Sequence, residues 1–362
     1  FVNADPPSAS QQLEFLTKVE RLLSSGSFTA TYKFALLIAL ANIAVARGDD
    51  SEVELRVDLD ELGGEFARLY WRAPRPFGSL DAPLRQARTD GEAAIIGIVA
   101  PLAGKTGWSY SRVRLYPAEA AAVITDVRKL VCRYPLYHLQ EVRSSHAASD
   151  GQDDFLYSKP SANEADRMSR TSITLKPGVG ACLRRLHGVV VRLCESEWAR
   201  WLRKANQQLG ADARLEDEMF GCERTALDSY VGPLRDLQQG RCFYSGERLR
   251  SEDQVHVDHF IPWSMFSFDS PANLVLVKPE VNASKAASLA SVPFLEQMLA
   301  RNDDSTDALA RMGADAGDFA KFRAVARWAY GTAETCGWLD WDWSRRGDRL
   351  PFDGSWRRCL AG

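Results

Sequence analysis

The chain lacks most of the features that place a protein at a glance. None of its seven cysteines, at 132, 182, 194, 222, 242, 336 and 359, forms a C-x-x-C pair. An odd, scattered set fits a reduced intracellular protein, with a cytoplasmic location expected, better than a disulfide scaffold. No N-terminal leader pattern is visible. No run of 18 apolar residues occurs, and the longest greasy stretch, 34–46, is broken by Asn42. A bilayer-crossing helix is therefore not expected. Net positive charge is missing too: 45 Lys and Arg stand against 48 Asp and Glu. A nucleic-acid partner would have to be met by a local concentration of charge.

A phosphate loop is absent as well. "AIIGIVAPLAGKTG" (94–107) ends in Gly-Lys-Thr, but Val99 occupies the position where the first glycine is required. Without it the backbone cannot wrap its N–H groups around a phosphate, so a strand and a loop are expected. There are no repeats and no low-complexity tracts.

What is present is a chain of 362 residues, 45% hydrophobic and 26% charged, long enough for two or three domains. "SFTATYKFALLIALANIAVARG" (27–48) reads as a buried helix, capped by Ser27 or Thr29 and ended by Gly48. Residues 53–62 alternate like a strand, and a helix carrying Phe66, Leu69, Tyr70 and Trp71 follows. That order suggests a helical or winged-helix-like domain over 1–80. The polar stretches 144–155 and 158–172 read as exposed loops, and "SITLKPG" as a short strand. Residues 179–210 read as one long helix, with His187 in a structural role. Its segment from Lys176 to Lys204 carries seven basic residues and two acids, as suits either a solvated face or a phosphate-tracking one. These features fall in a middle region, 81–235. A C-terminal segment, 291–362, is rich in tryptophan that serves core packing.

Chemistry concentrates in 236–290. "RCFYSGERLRSEDQVHVDHFIPWS" (241–264) begins like half a zinc knuckle, with Cys242 followed by Ser245 where a second cysteine would stand. "QVHVDHF" alternates, so His256 and Asp258 share one side and His259 takes the other. Asn273 opens "NLVLVKPEVNASK", where Asn282 and Lys285 sit three apart on one helix face. A hairpin thus delivers Asp258 and His259, and a helix delivers Asn282 and Lys285. Hydrolysis of a phosphodiester needs such a set. An imidazole deprotonates water near neutral pH, oxygen ligands hold a hard cation, and positive groups hold the strand.

"VDHFIPWS", "NLVLV" and "VNASK" closely resemble the HNH, or ββα-metal, endonucleases. The resemblance implies an α+β chain, mostly helical, with an embedded ββα module. It implies His259 as general base, Asn273 as the residue that braces the loop and orients that base, and Asp258 and Asn282 as metal ligands. Lys285 becomes a phosphate contact. By position alone, His256, on the strand face of Asp258, and Arg241 are further substrate-binding candidates, and His256 reads equally as a structural histidine. Mg²⁺ is the implied cofactor, with Mn²⁺ able to substitute, and DNA the implied partner. No structural zinc is expected, since one thiolate cannot make a four-ligand site; packing by Phe243, Tyr244 and Phe260 takes its place. "SFTATYKFALLIAL", "ITLKPGVGACLRRLHG" and "DLQQGRCFYSG" resemble the flanks of bacterial stand-alone HNH proteins linked to restriction or phage defence. A regulatory protein or a second copy of the chain is a further possible partner. The competing readings are an inactive HNH scaffold that binds nucleic acid, and an RNA-cleaving or toxin nuclease.

Overall fold

A computed structural model describes residues 6–25, 30–78, 82–87, 93–140, 154–209, 214–222, 227–345 and 348–361. The chain is α+β and mostly helical, 59% helix with few short strands. It divides into two compact units, Phe1–Gly221 and Cys222–Gly362. Among the described residues no helix is long and apolar enough to cross a membrane.

The first unit is built on helices α1 (Ala9–Ser25), α2 (Tyr32–Arg47), α3 (Leu59–Tyr70), α4 (Ala94–Lys105), α5 (Pro117–Arg133), α6 (Pro135–His138), α7 (Glu164–Ser169), α8 (Val179–Arg185), α9 (His187–Ala205) and α10 (Leu215–Phe220). Strand β1 (Leu55–Asp58) pairs antiparallel with β2 (Ser172–Leu175), Leu55 opposite Leu175. Every residue of α2 from Phe34 to Val45 is buried, Asn42 being the one polar side chain among them. It packs against α3, α8 and α9. Because β1 closes on a strand more than a hundred residues away, the first 80 residues share a core with the rest of the unit. They do not form a local winged helix.

Several local expectations change. Residues 94–105 form α4, with Pro101 inside it, and not a strand and loop. A ten-residue apolar run carries no periodicity that separates the two, and packing on α3 and α5 chooses the helix. The stretch 158–172 holds the short helix α7. The long helix breaks at Leu186 into α8 and α9. Ser27, Thr29 and 144–153 lie outside the described residues.

The basic segment is largely committed. Arg184 is buried and donates to Val45 O at 2.6 Å, Arg200 pairs with Glu197, and Arg203 pairs with Glu216. Arg184 is thereby fixed inside the unit, whereas Arg200 and Arg203 keep exposed side chains whose pairs add little to stability. His187 is 3% exposed, with Nε2 2.8 Å from Asn42 Oδ1. Burial above all holds its imidazole down at about 3.

The second unit holds α11 (Val231–Leu237), β3 (His256–His259), β4 (Leu274–Val277), α12 (Pro279–Lys285), α13 (Val292–Asp304), α14 (Thr306–Arg311), α15 (Ala316–Thr335) and α16 (Trp356–Cys359). β3 and β4 pair antiparallel, His256 opposite Val277 and His259 opposite Leu274. Buried Trp328, Trp341 and Trp356 belong to this unit's core, whereas Trp338 is exposed. Arg301 on α13 donates to Leu274 O at 2.7 Å and to Pro271 O at 3.1 Å, fixing the entry to β4.

His187 generates a pH prediction. Its folded value lies below the unfolded one of about 6.5, so the unfolded chain takes up the proton first and stability falls as pH drops below that value. Urea unfolding followed from pH 6.5 to 5 is expected to lose about 1.5 kcal/mol more in the native protein than in His187→Gln, which keeps a donor for Asn42.

Candidate active site

The site is assembled from a turn, a strand pair and one helix. The turn at 242–247 closes through Gly246 N–H to Cys242 O and Cys242 N–H to Glu247 O, both 2.9 Å. Gly246 makes this possible with φ +67°. Phe243 N–H donates to Leu276 O at 3.1 Å, which docks the turn on β4. Glu247 pairs with Lys278, the residue before α12. The turn is thus clipped to both the strand and the helix. Phe243, Tyr244 and Phe260 are buried against one another, with Tyr244 also on Trp341 at 5.0 Å.

β3 and α12 face each other in parallel steps. His256 and Asp258 share one side of the strand, and Asn282 and Lys285 one side of the helix. Asn282 Nδ2 lies 3.1 Å from His256 Nδ1, and Lys285 Nζ lies 3.0 Å from Asp258 Oδ2. Lys285 also donates to His259 O at 2.9 Å. Tyr244 OH donates to the same Asp258 oxygen at 3.2 Å. Burial, and then the Asp258 charge, push the Tyr244 phenol far above its ordinary range, so it stays a donor. Among the described residues nothing donates to Asp258 Oδ1.

His259 takes the other side of the strand and has its own partners. Its Nε2 is 2.6 Å from Asp269 Oδ1, and its ring lies 5.3 Å from Trp263. Asn273, fully buried, accepts from Ile261 N–H at 2.8 Å and donates to Ile261 O and Phe268 O, both at 3.2 Å. It therefore closes the loop between His259 and Asp269 at both ends. Asn273 does not touch the imidazole, contrary to the expectation that it orients the base itself; it sets the loop that brings Asp269 to the ring. Sequence reading missed Asp269 because "FDSPAN" carries an ordinary turn signal.

A family model described as Domain of unknown function (DUF8808) matches residues 11–220, more than half of the chain. The chain belongs to that family. Within this DUF8808 protein a second model, described as HNH endonuclease, matches residues 242–291. That span contains the turn, β3, β4 and α12, and the match supports an HNH domain here, with the nuclease activity, nucleic-acid substrate and metal dependence such domains carry. No curated protein and no solved structure matches the chain.

The donor set fits a hard cation. Among the described residues nothing donates to Asp258 Oδ1, which is left to serve as a ligand. Asn282 commits its amide nitrogen to His256, which leaves its carbonyl oxygen as a ligand. Oxygen donors of this kind suit Mg²⁺, which retains several waters. Lys285 departs from expectation. It was expected at a phosphate, but it is 0% exposed and directs its ammonium inward. Arg241 is exposed and donates to Gly246 O at 2.9 Å; His256 is half-buried.

Breaking a buried ion pair from one side leaves an uncompensated charge and costs about 3–5 kcal/mol. Lys285→Met is expected to lower the urea unfolding free energy by an amount of that order. The salt dependence of nucleic-acid binding by the folded fraction is expected to stay unchanged, which a phosphate contact would not allow.

Proposed function

We propose that the protein is a cytoplasmic Mg²⁺-dependent DNA endonuclease, a restriction or anti-phage defence effector in which His259 is the general base. The reading rests on one observation: the β3–β4–α12 unit brings Asp258 and Asn282 to facing surfaces and gives the adjacent His259 a carboxylate partner.

Asp269 accepts the Nε2–H of the imidazole and leaves Nδ1 as the proton acceptor. Nδ1 takes a proton from water, whose oxygen then bonds to phosphorus as the bond to the leaving oxygen breaks. The imidazolium formed is stabilised by Asp269. Asp258 and Asn282 would hold a Mg²⁺ ion, which would supply charge stabilisation at the phosphate and the leaving oxygen.

The second unit carries 17 Lys and Arg against 20 Asp and Glu, so DNA must be held locally. Arg241 and Arg248 pair directly across an antiparallel bridge, and both are exposed. Like charges so placed repel each other, and a phosphate between them offsets that cost. The defence role draws only on the resemblance of the flanks to stand-alone HNH proteins.

Incubation of purified protein with supercoiled plasmid is expected to give cleavage in Mg²⁺ and none in EDTA. His259→Ala should cost about 10²- to 10⁴-fold in rate while plasmid binding persists. Asp269→Asn should cost about 10- to 10²-fold, as loss of an orienting partner does. Binding without cleavage in any divalent ion would make the unit a nucleic-acid-binding scaffold, and cleavage of RNA alone would redirect the substrate. Phage plating on cells expressing the native protein or His259→Ala tests the defence role. Arg248→Glu is expected to weaken DNA binding for all sequences and to flatten its salt dependence.

A further inference from the structure

We propose that Cys222, His259 and Asp269 form a second metal site, for a transition ion of the zinc class, and that its occupation switches the nuclease off. The inhibitory half of this proposal rests on His259 being the base; the site itself does not.

One ligand atom from each of the three residues lies within 4.8 Å of the other two. Among the described residues this is the only grouping of three or more His, Cys, Asp or Glu side chains close enough to share an ion. Its chemistry differs from that of the neighbouring set. Asp258 and Asn282 offer oxygen only, which suits a hard cation. A thiolate, an imidazole and a carboxylate offer sulfur, nitrogen and oxygen, the donors that select zinc. Cys222 and Asp269 are partly exposed and His259 is buried, so an ion can enter from the side of the thiol and carboxylate. Cys222 takes part in no disulfide.

The geometry is near that of a site without being closed on one. Around tetrahedral zinc, bonds of about 2.0–2.3 Å set the donor atoms roughly 3.3–3.7 Å apart. His259 Nε2 and Asp269 Oδ1 must open from 2.6 Å by about 0.7–1.1 Å, and a separation at the 4.8 Å bound must close by about 1.1–1.5 Å. Three protein ligands leave a fourth position for water. A site that needs such adjustment binds reversibly and is not a folding zinc.

The consequence for the base is a matter of protons. When zinc takes Nε2, the neutral ring keeps its one proton on Nδ1. Neither nitrogen can then accept a proton from water. The Cys222 thiol loses its proton to solvent as the Zn–S bond forms, and no other proton leaves. Zinc thereby removes the base without competing for the oxygen ligands of the hard cation.

The test uses the full chain, with Co²⁺ and Zn²⁺ alone as probes. Co²⁺ is expected to produce a thiolate-to-cobalt charge-transfer band that Zn²⁺ bleaches at one equivalent. In Cys222→Ser the band should vanish and Zn²⁺ affinity, measured against a chromophoric chelator, should fall at least about tenfold. Plasmid cleavage in Mg²⁺ should be the same in the native protein and in Cys222→Ser, and zinc should stop the first at concentrations that spare the second. Absence of the band from the native protein, or its persistence in Cys222→Ser, would overturn the site. Equal zinc inhibition of both proteins would overturn the switch and place zinc at Asp258 and Asn282. If no plasmid is cut under any condition, the nuclease reading fails, and the cobalt band still decides the site.

Discussion

The second unit turns on a buried ammonium. Lys285 sits at the end of α12 with no exposed surface, between Asp258 Oδ2 and His259 O. An isolated charge in such a place would cost several kcal/mol to desolvate, so the helix is stable only where both acceptors are in position. The pair therefore fixes the register of α12 on β3. It also holds Asp258 before any cation arrives, since the carboxylate already has a countercharge and a phenol donor. The same compensation weakens the pull of Asp258 on a cation. Asn282, one helical turn back, inherits its placement opposite His256 from that register.

The turn at 242–247 is fastened to β4 and α12 by aromatic packing, an ion pair and a backbone hydrogen bond. Structural zinc in small domains supplies apparent binding energies of about 10–16 kcal/mol. Here Phe243, Tyr244, Phe260, Phe322 and Trp341 are all buried. At about 1.5–3 kcal/mol for each such side chain, they reach the same order. The Glu247–Lys278 pair and the bond from Phe243 N–H to Leu276 O add direction to that non-directional term.

Asp258 and His259 are adjacent in sequence and opposite in environment. Strand alternation gives the first a cation and a phenol, and the second a carboxylate and an indole. One dipeptide thus serves two neighbouring donor sets of different hardness. One is all oxygen; the other joins His259 to Asp269 and Cys222. Under the proposed roles, the first set would take the cofactor and the second an inhibitory ion.

The sequence alone determined the pieces whose chemistry is local. The order Asp258, His259, Asn273, Asn282 and Lys285 could be read directly, because strand alternation and helical spacing convert it into facing groups without knowledge of the rest. The buried, largely apolar α2 and the structural role of His187 were legible for the same reason. Tertiary structure decided what depends on distant contacts. The run at 94–105 became a helix because α3 and α5 pack on it. β1 found its partner in β2, across more than a hundred residues. Lys285 turned inward because a buried carboxylate was there to receive it. Asp269 joined His259 only because Asn273 closes the loop between them, and Cys222 reached both across a separation in sequence that no local rule spans. Periodicity records which face a side chain takes; only the closed chain settles which group it meets there.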